Sequence, residues 1–183
     1  MNEFLLASLP PLSEARLDRL TSLRAISVGQ GCYLIDLLHE TSFLRGTVCE
    51  MGVAQGYTSR LIASEIRDSP RHLWLFDSFQ GLPEPTPEDE LIDDIFGLGR
   101  MSAYAGTMRV SRDSVEEQLA EGAFPADRTH IVEGFFDETT STRIQLSSRV
   151  SFAFIDFDLV QANQGRAFVS PRCLGARRLY CHP

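Results

Sequence analysis

Residues 47–67 constrain the fold more than any other stretch. TVCEM (47–51) reads as a short buried strand ended by Gly52, and YTSRLIASEIR (57–67) reads as a helix with Leu61, Ile62 and Ile66 on one face. A strand that turns through glycines straight into an amphipathic helix belongs to a layered α/β domain. The alternation then recurs. HLWLF (72–76) is a second strand closed by Asp77, and after a long loop rich in proline, glycine and acid, DSVEEQLAE (113–121) is a helix. THIVE (129–133) is a third strand, residues 137–146 are a candidate short helix, and VSFAFI (150–155) is a fourth strand closed by Asp156. Strands this continuously apolar need cover on both faces, so a doubly wound, mainly parallel sheet is expected. Ligands of such sheets bind beyond the C-terminal ends of the strands. Acids or glycines stand at all four of those ends: Glu50, Asp77, Glu133 with Gly134, and Asp156.

Two helical segments precede the sheet. Residues 12–24 place leucines at 12, 17, 20 and 23 behind Ser13 and Glu14, and residues 33–40 (YLIDLLHE) form the second. They predict an N-terminal helical cap over residues 1–44, ahead of a ligand-binding domain over residues 45–159. A chain of 183 residues with 43% hydrophobic content suits a packed globule. Its net charge of −8 offers no basic footprint for nucleic acid. No apolar run reaches the roughly 18 residues of a membrane helix, so neither nucleic acid nor membrane is an expected partner. The apolar start FLLASLPPL is interrupted by prolines, follows Glu3 and lacks the basic opening of a secretory signal. Cys32, Cys49, Cys173 and Cys181 show no Cys-x-x-Cys spacing and read as cytosolic thiols, which places the chain in the cytoplasm. All 17 basic residues are arginine. Without lysine, a P-loop phosphotransferase and a pyridoxal Schiff-base enzyme are both disfavoured.

The strand-to-helix turn carries the first chemical signal. In Glu50-Met-Gly52-Val-Ala-Gln-Gly56-Tyr-Thr58-Ser59, glycines let a ligand approach the backbone, and the helix N-terminus offers amides to a carboxylate or phosphate. An acid on the strand side suits an ammonium group. The bland alternative is an ordinary strand–helix turn. A dinucleotide site prefers Gly-x-Gly-x-x-Gly; Gly-x-x-x-Gly behind a glutamate favours S-adenosylmethionine over NAD. The second signal is Asp77-Ser78-Phe-Gln-Gly81-Leu-Pro83, about 20 residues further on. There an acid can accept from ribose hydroxyls, although an aspartate after a strand is often only a turn cap. Residues 84–94 hold six acids and read as a solvated loop, with a lid as the alternative. The histidines at 39, 72 and 130 show no metal spacing and read as structural.

CEMGVAQGYTS, LFDSFQGLPEP, HIVEGFFDET and AFIDFDL, in this order and spacing across roughly residues 45–159, resemble the macrocin O-methyltransferase family. The DSFQGLP block is the most specific part. The resemblance implies a Rossmann-like methyltransferase with S-adenosyl-L-methionine and Mg2+ as cofactors. Its partner would be a small-molecule hydroxyl acceptor such as a glycoside, and a homo-oligomer is compatible with it. Glu50, Gly52, Gly56 and Ser59 would hold the methionine part of the cofactor, with Thr58 and Ser78 also in the cofactor-binding set. Asp77 would take the ribose, and Gly134 with Phe135 would lie near the adenine. Asp156 would be a magnesium ligand and Asp158 the base on the acceptor hydroxyl. The last pair is also chemically sensible by itself. Two carboxylates two residues apart at a strand end can face one cavity, where a hard cation acidifies a hydroxyl and a carboxylate takes its proton.

After Leu159 the resemblance ends. The family continues with Tyr-x-Pro-Thr, an apolar helix, a Pro-Gly-Gly turn and a strand whose acids complete the metal site. Residues 160–183 instead carry four arginines and no acid, while all 25 acids lie earlier. A one-base shift inside the Val160 codon permits both Tyr-Lys-Pro-Thr and Pro-Gly-Gly at the family's spacing. Residues 160–183 are therefore expected to be an aberrant, disordered tail on a C-terminally truncated sheet, with impaired turnover. The alternative functions are a non-catalytic S-adenosylmethionine-binding fragment or interaction module and, against the glycine spacing, an NAD-dependent oxidoreductase.

Overall fold

A computed structural model describes residues 11–24, 26–87, 89–92, 94–135 and 149–156. Asp158, the candidate helix at 137–146 and the tail 160–183 lie outside the described residues. Four strands, β1 (Thr47–Met51), β2 (Leu73–Asp77), β3 (Thr129–Glu133) and β4 (Val150–Ile155), form one sheet in the order β3-β2-β1-β4. Every pairing is parallel. The expected α/β sheet is thus present. The chain runs outward from β1 through β2 to β3, then returns to place β4 on the other side of β1. The order reverses between β1 and β4, and that reversal is where open parallel sheets bind ligands.

Alternation along the strands explains the layers. Val48, Leu73, Leu75, Ile131, Phe152 and Phe154 point to one face and pack with apolar residues of α1 (Glu14–Thr21), α2 (Val28–Glu40), α3 (Tyr57–Ile66) and α4 (Arg112–Glu121). Cys49, Met51, Trp74, Phe76, Val132 and Ile155 form the second cluster on the opposite face. The register slips between Thr47 and Val48, leaving Ser151 as an extra residue in β4 whose hydroxyl donates to the Thr47 carbonyl at 3.1 Å. At the N-terminal ends of β2 and β3, His72 Nδ1 lies 2.9 Å from His130 Nε2. The His130 ring stacks on Trp74. Both rings thus pack against neighbouring strand residues.

The helices follow their caps. Ser13 accepts from the Arg16 amide at the start of α1, and Ser111 does the same for Ser114 at α4. α2 begins earlier than the apolar run 33–40 suggests, because Ser27 and Gln30 form a reciprocal capping box. The added turn places Gly31 against α1, where a Cβ would come within 2.8 Å of Leu20. No helix among the described residues is long and apolar enough to cross a membrane.

One ion cluster binds the two N-terminal helices to α3. Glu65, whose side chain is 2% exposed, accepts from Arg16 Nε at 2.9 Å and Nη2 at 2.8 Å and faces His39 Nε2 at 2.9 Å. Burial alone raises the pKa of this carboxyl, but the bonds from Arg16 and His39 outweigh it and hold Glu65 below the usual carboxylate range. Its contribution to stability is therefore whole above the unfolded carboxylate pKa and is lost as pH falls through the lower folded value. Glu65→Ala is expected to cost about 2–3 kcal/mol, from one partner of a largely buried pair removed. The loss is to be read in urea unfolding, and Glu65→Gln should flatten the acid limb of the stability curve.

Candidate functional site

The C-terminal ends of the strands bring together most of the residues singled out from sequence. Glu50, near the end of β1, points to the helical face and is 0% exposed. Its Oε2 accepts from the Ser59 hydroxyl at 2.5 Å, and its Oε1 has no hydrogen-bond partner among the described residues. Ser59 is also 0% exposed, in the first turn of α3. Burial pushes the Glu50 carboxyl up, the Ser59 bond opposes this, and the charges of Asp156 and Asp77 add to the rise, which takes it to about 8. Without a cationic partner Glu50 is therefore neutral at physiological pH.

The glycine turn is built as its sequence requires. The Gly52 amide donates to the Phe76 carbonyl at 2.9 Å, tying the turn to β2. Gly56 has φ +80 and stands at the N-cap of α3 without a side-chain cap bond. A Cβ there would meet the Val115 Cα at 3.1 Å, so the residue must be small as well as left-handed. The first-turn amides of α3 are thus left to a ligand. Thr58 is buried beside them.

Asp77 ends β2. Its Oδ2 accepts from the amides of Val53 at 2.8 Å and Ala54 at 3.0 Å, and its Oδ1 accepts from Phe79 at 2.8 Å. Ser78 spends its hydroxyl on the turn, accepting from the Gln80 amide at 3.1 Å and donating to the Gly81 carbonyl at 3.3 Å. The Gly134 amide donates to the Asp77 carbonyl at 2.9 Å; a Cβ on Gly134 would meet nothing within 4 Å among the described residues, and Phe135 beside it is 43% exposed. Asp156 follows β4, and its amide donates to the Met51 carbonyl at 2.9 Å. Glu50, Asp77 and Asp156 thus gather at neighbouring strand ends, while Asp158 lies outside the described residues.

Sequence reasoning missed two devices. The first is the grip of Asp77 on Val53 and Ala54, which uses backbone donors and so leaves no side-chain signature. The second is the neck of the loop after β2. The Leu82 amide donates to the Thr107 carbonyl at 2.9 Å and the Gly106 amide to the Leu82 carbonyl at 2.8 Å, so residues 83–105 leave and return at one point. Within this loop Tyr104 donates to Asp94 Oδ1 at 2.8 Å, while Asp94 also accepts from the amides of Leu98 and Gly99. Asp94 is therefore bonded within the loop itself. Among the described residues no group of three or more His, Cys, Asp or Glu side chains could hold a metal ion. The described residues alone therefore do not make up a magnesium site.

The macrocin-O-methyltransferase family model matches residues 37–165. The chain belongs to the macrocin O-methyltransferase family. The match starts within α2 rather than at residue 45 and ends at 165 rather than at Leu159. By family the chain is a methyltransferase, and its fold is the Rossmann-like one. It is similar to calicheamicin methyltransferase CalS11, at 19% identity and a TM-score of 0.62 over 92% of this chain and 77% of that one. It is similar to the O-methyltransferase NovP, at 19% identity and a TM-score of 0.63 over 80% of this chain and 61% of that one. The SAH-bound methyltransferase PaMTH1 of Podospora anserina is 13% identical, with a TM-score of 0.57 over 96% of this chain and 64% of that one. The chain therefore spans less than two thirds of the length of NovP and of PaMTH1. At these identities the likeness is one of fold. No curated protein matches the sequence.

Proposed function

We propose that this chain binds S-adenosylmethionine and transfers its methyl group to a hydroxyl of a sugar or another small natural product. The observation that carries the reading is Glu50: a fully buried carboxyl with one oxygen that has no partner among the described residues, near the end of β1 and beside an uncapped helix. A buried acid of this kind calls for a cation, and the ammonium group of the cofactor's methionine half supplies one. The free amides of α3 suit the neighbouring carboxylate. Gly134, with nothing among the described residues within 4 Å of its Cβ side, and exposed Phe135 suit the adenine. The family supports the methyl-transfer chemistry, and the names of the structural neighbours CalS11 and NovP fit a natural-product acceptor.

In the transfer, the acceptor oxygen attacks the methyl carbon as the bond from carbon to the sulfonium sulfur breaks. The hydroxyl proton leaves to a carboxylate, the role proposed for Asp158, and S-adenosylhomocysteine remains. Asp156 is the described residue proposed for the magnesium ion that the resemblance implies. The chain's own contribution is to hold the two reactants in line and away from water. Incubation with methyl-tritiated S-adenosylmethionine and a panel of glycosides tests this. Tritium is expected in an ether that survives mild alkali; label found only in alkali-labile esters would overturn the hydroxyl acceptor.

A further inference from the structure

The carboxylate of Asp77 is already occupied by the protein. Its Oδ2 accepts from two successive amides, Val53 and Ala54, at 2.8 and 3.0 Å, and its Oδ1 accepts from Phe79 at 2.8 Å. A carboxylate offers about four acceptor positions, so three are filled before any ligand arrives. Two ribose hydroxyls need two positions, and one is left. The amides it holds belong to the turn between Glu50 and the start of α3. Ala54 adopts φ +47, which a residue with a Cβ takes up only when its surroundings impose it. The Val53 side chain is buried in the core, and its carbonyl accepts from Gly56 at 3.1 Å. The turn is thus pinned from one side by packing and from the other by a single carboxylate oxygen cradled between consecutive amides.

We propose that Asp77 is a positioning residue for the methionine half of the cofactor, acting through Val53 and Ala54, and not a ribose acceptor alone. The assignment rests on the cofactor reading above. By fixing residues 53 and 54, Asp77 sets the distance and angle between Glu50 on the strand and the free amides of α3, which are the two groups assigned to the ammonium and carboxylate of the ligand. Loss of Asp77 should therefore weaken a ligand that has no ribose hydroxyls to offer.

The test is a calorimetric comparison of S-adenosylhomocysteine with its 2′,3′-dideoxy analogue, on the wild type, Asp77→Ala and Asp77→Asn. All are measured at a temperature where circular dichroism shows each protein folded. Asp77→Ala is expected to weaken both ligands, and the dideoxy analogue by about tenfold or more, the size of one lost charge-assisted hydrogen bond. Asp77→Asn keeps one acceptor for the two amides and should recover most of the loss toward the dideoxy analogue, a rescue that a general loss of stability does not produce. Should Asp77→Ala fail to fold, Asp77→Ser, whose hydroxyl stops one bond short of the carboxylate oxygens, takes its place: weaker binding of the dideoxy analogue supports positioning, and unchanged binding of it overturns it. Unchanged affinity of Asp77→Ala for the dideoxy analogue likewise overturns the assignment while leaving the cofactor reading intact. A wild type that binds neither ligand overturns both.

Discussion

Glu50→Gln is expected to stabilise the empty protein above neutral pH while weakening its hold on the cofactor. The folded carboxyl keeps its proton up to about 8, against 4.5 for a free side chain. Between those values the folded state binds more protons than the unfolded one, so stability falls as pH rises through this window and the penalty is complete above it. At about 1.4 kcal/mol for each tenfold change in proton affinity, the penalty is several kcal/mol at most. Glutamine has nearly the same shape, can still accept from Ser59, and carries no charge at any pH. Its melting temperature should therefore change little across this range and exceed that of the wild type by about 5 °C or more near pH 9. Affinity for S-adenosylhomocysteine should fall roughly tenfold or more with the charged partner of the ammonium gone. Thermal melts from pH 5 to 9 check the first half of the claim; parallel curves for the two proteins would contradict it. A residue that destabilises the empty fold and strengthens the loaded one is what a binding site looks like in stability terms.

The second large effect is expected at Gly81. Its φ is +82, and a Cβ there would land on the Thr107 carbonyl oxygen and within 2.7 Å of the Gly106 oxygen. Those atoms are backbone, held by the hydrogen bonds that close the neck of the loop, so they cannot yield as the tip of a side chain would. Gly81→Ala combines left-handed strain with overpacking and is expected to cost about 3 kcal/mol. Gly97 and Gly99 also have positive φ, but nothing among the described residues lies within 4 Å of a Cβ at either. Alanine there should cost only about 1 kcal/mol each. Urea unfolding of the three variants separates the contributions; equal losses would show that the neck is not what the glycine serves.

The four strands were legible because each is an apolar run that ends in an acid or glycine, and the parallel sheet followed from the helical segments between them. The boundaries were less so. β2 reaches Asp77 itself, because its pairing with β3 extends to the Asp77–Glu133 register. α2 starts at Val28 because a capping box overrides the weak helix propensity of its two glycines. At the site, Glu50, Gly56 and Ser59 stood out because their chemistry lies in side chains or in the lack of one. The acceptors and donors around Asp77 did not, since Val53 and Ala54 contribute only amides, which every residue but proline possesses. The reason for Gly81 was hidden for a different cause: its constraint comes from residues 106 and 107, across a loop whose closure no local pattern announces.

The central claim is that the ends of β1 and β2 form a pocket for the methionine and ribose parts of S-adenosylmethionine. The most direct measurement is a calorimetric titration of the 183-residue protein with S-adenosylhomocysteine at pH 8, with circular dichroism on the same sample. Saturable binding at one site per chain, weakened by Glu50→Gln, is the expected result. A protein that circular dichroism shows to be folded and that takes up no S-adenosylhomocysteine would contradict the assignment of the pocket.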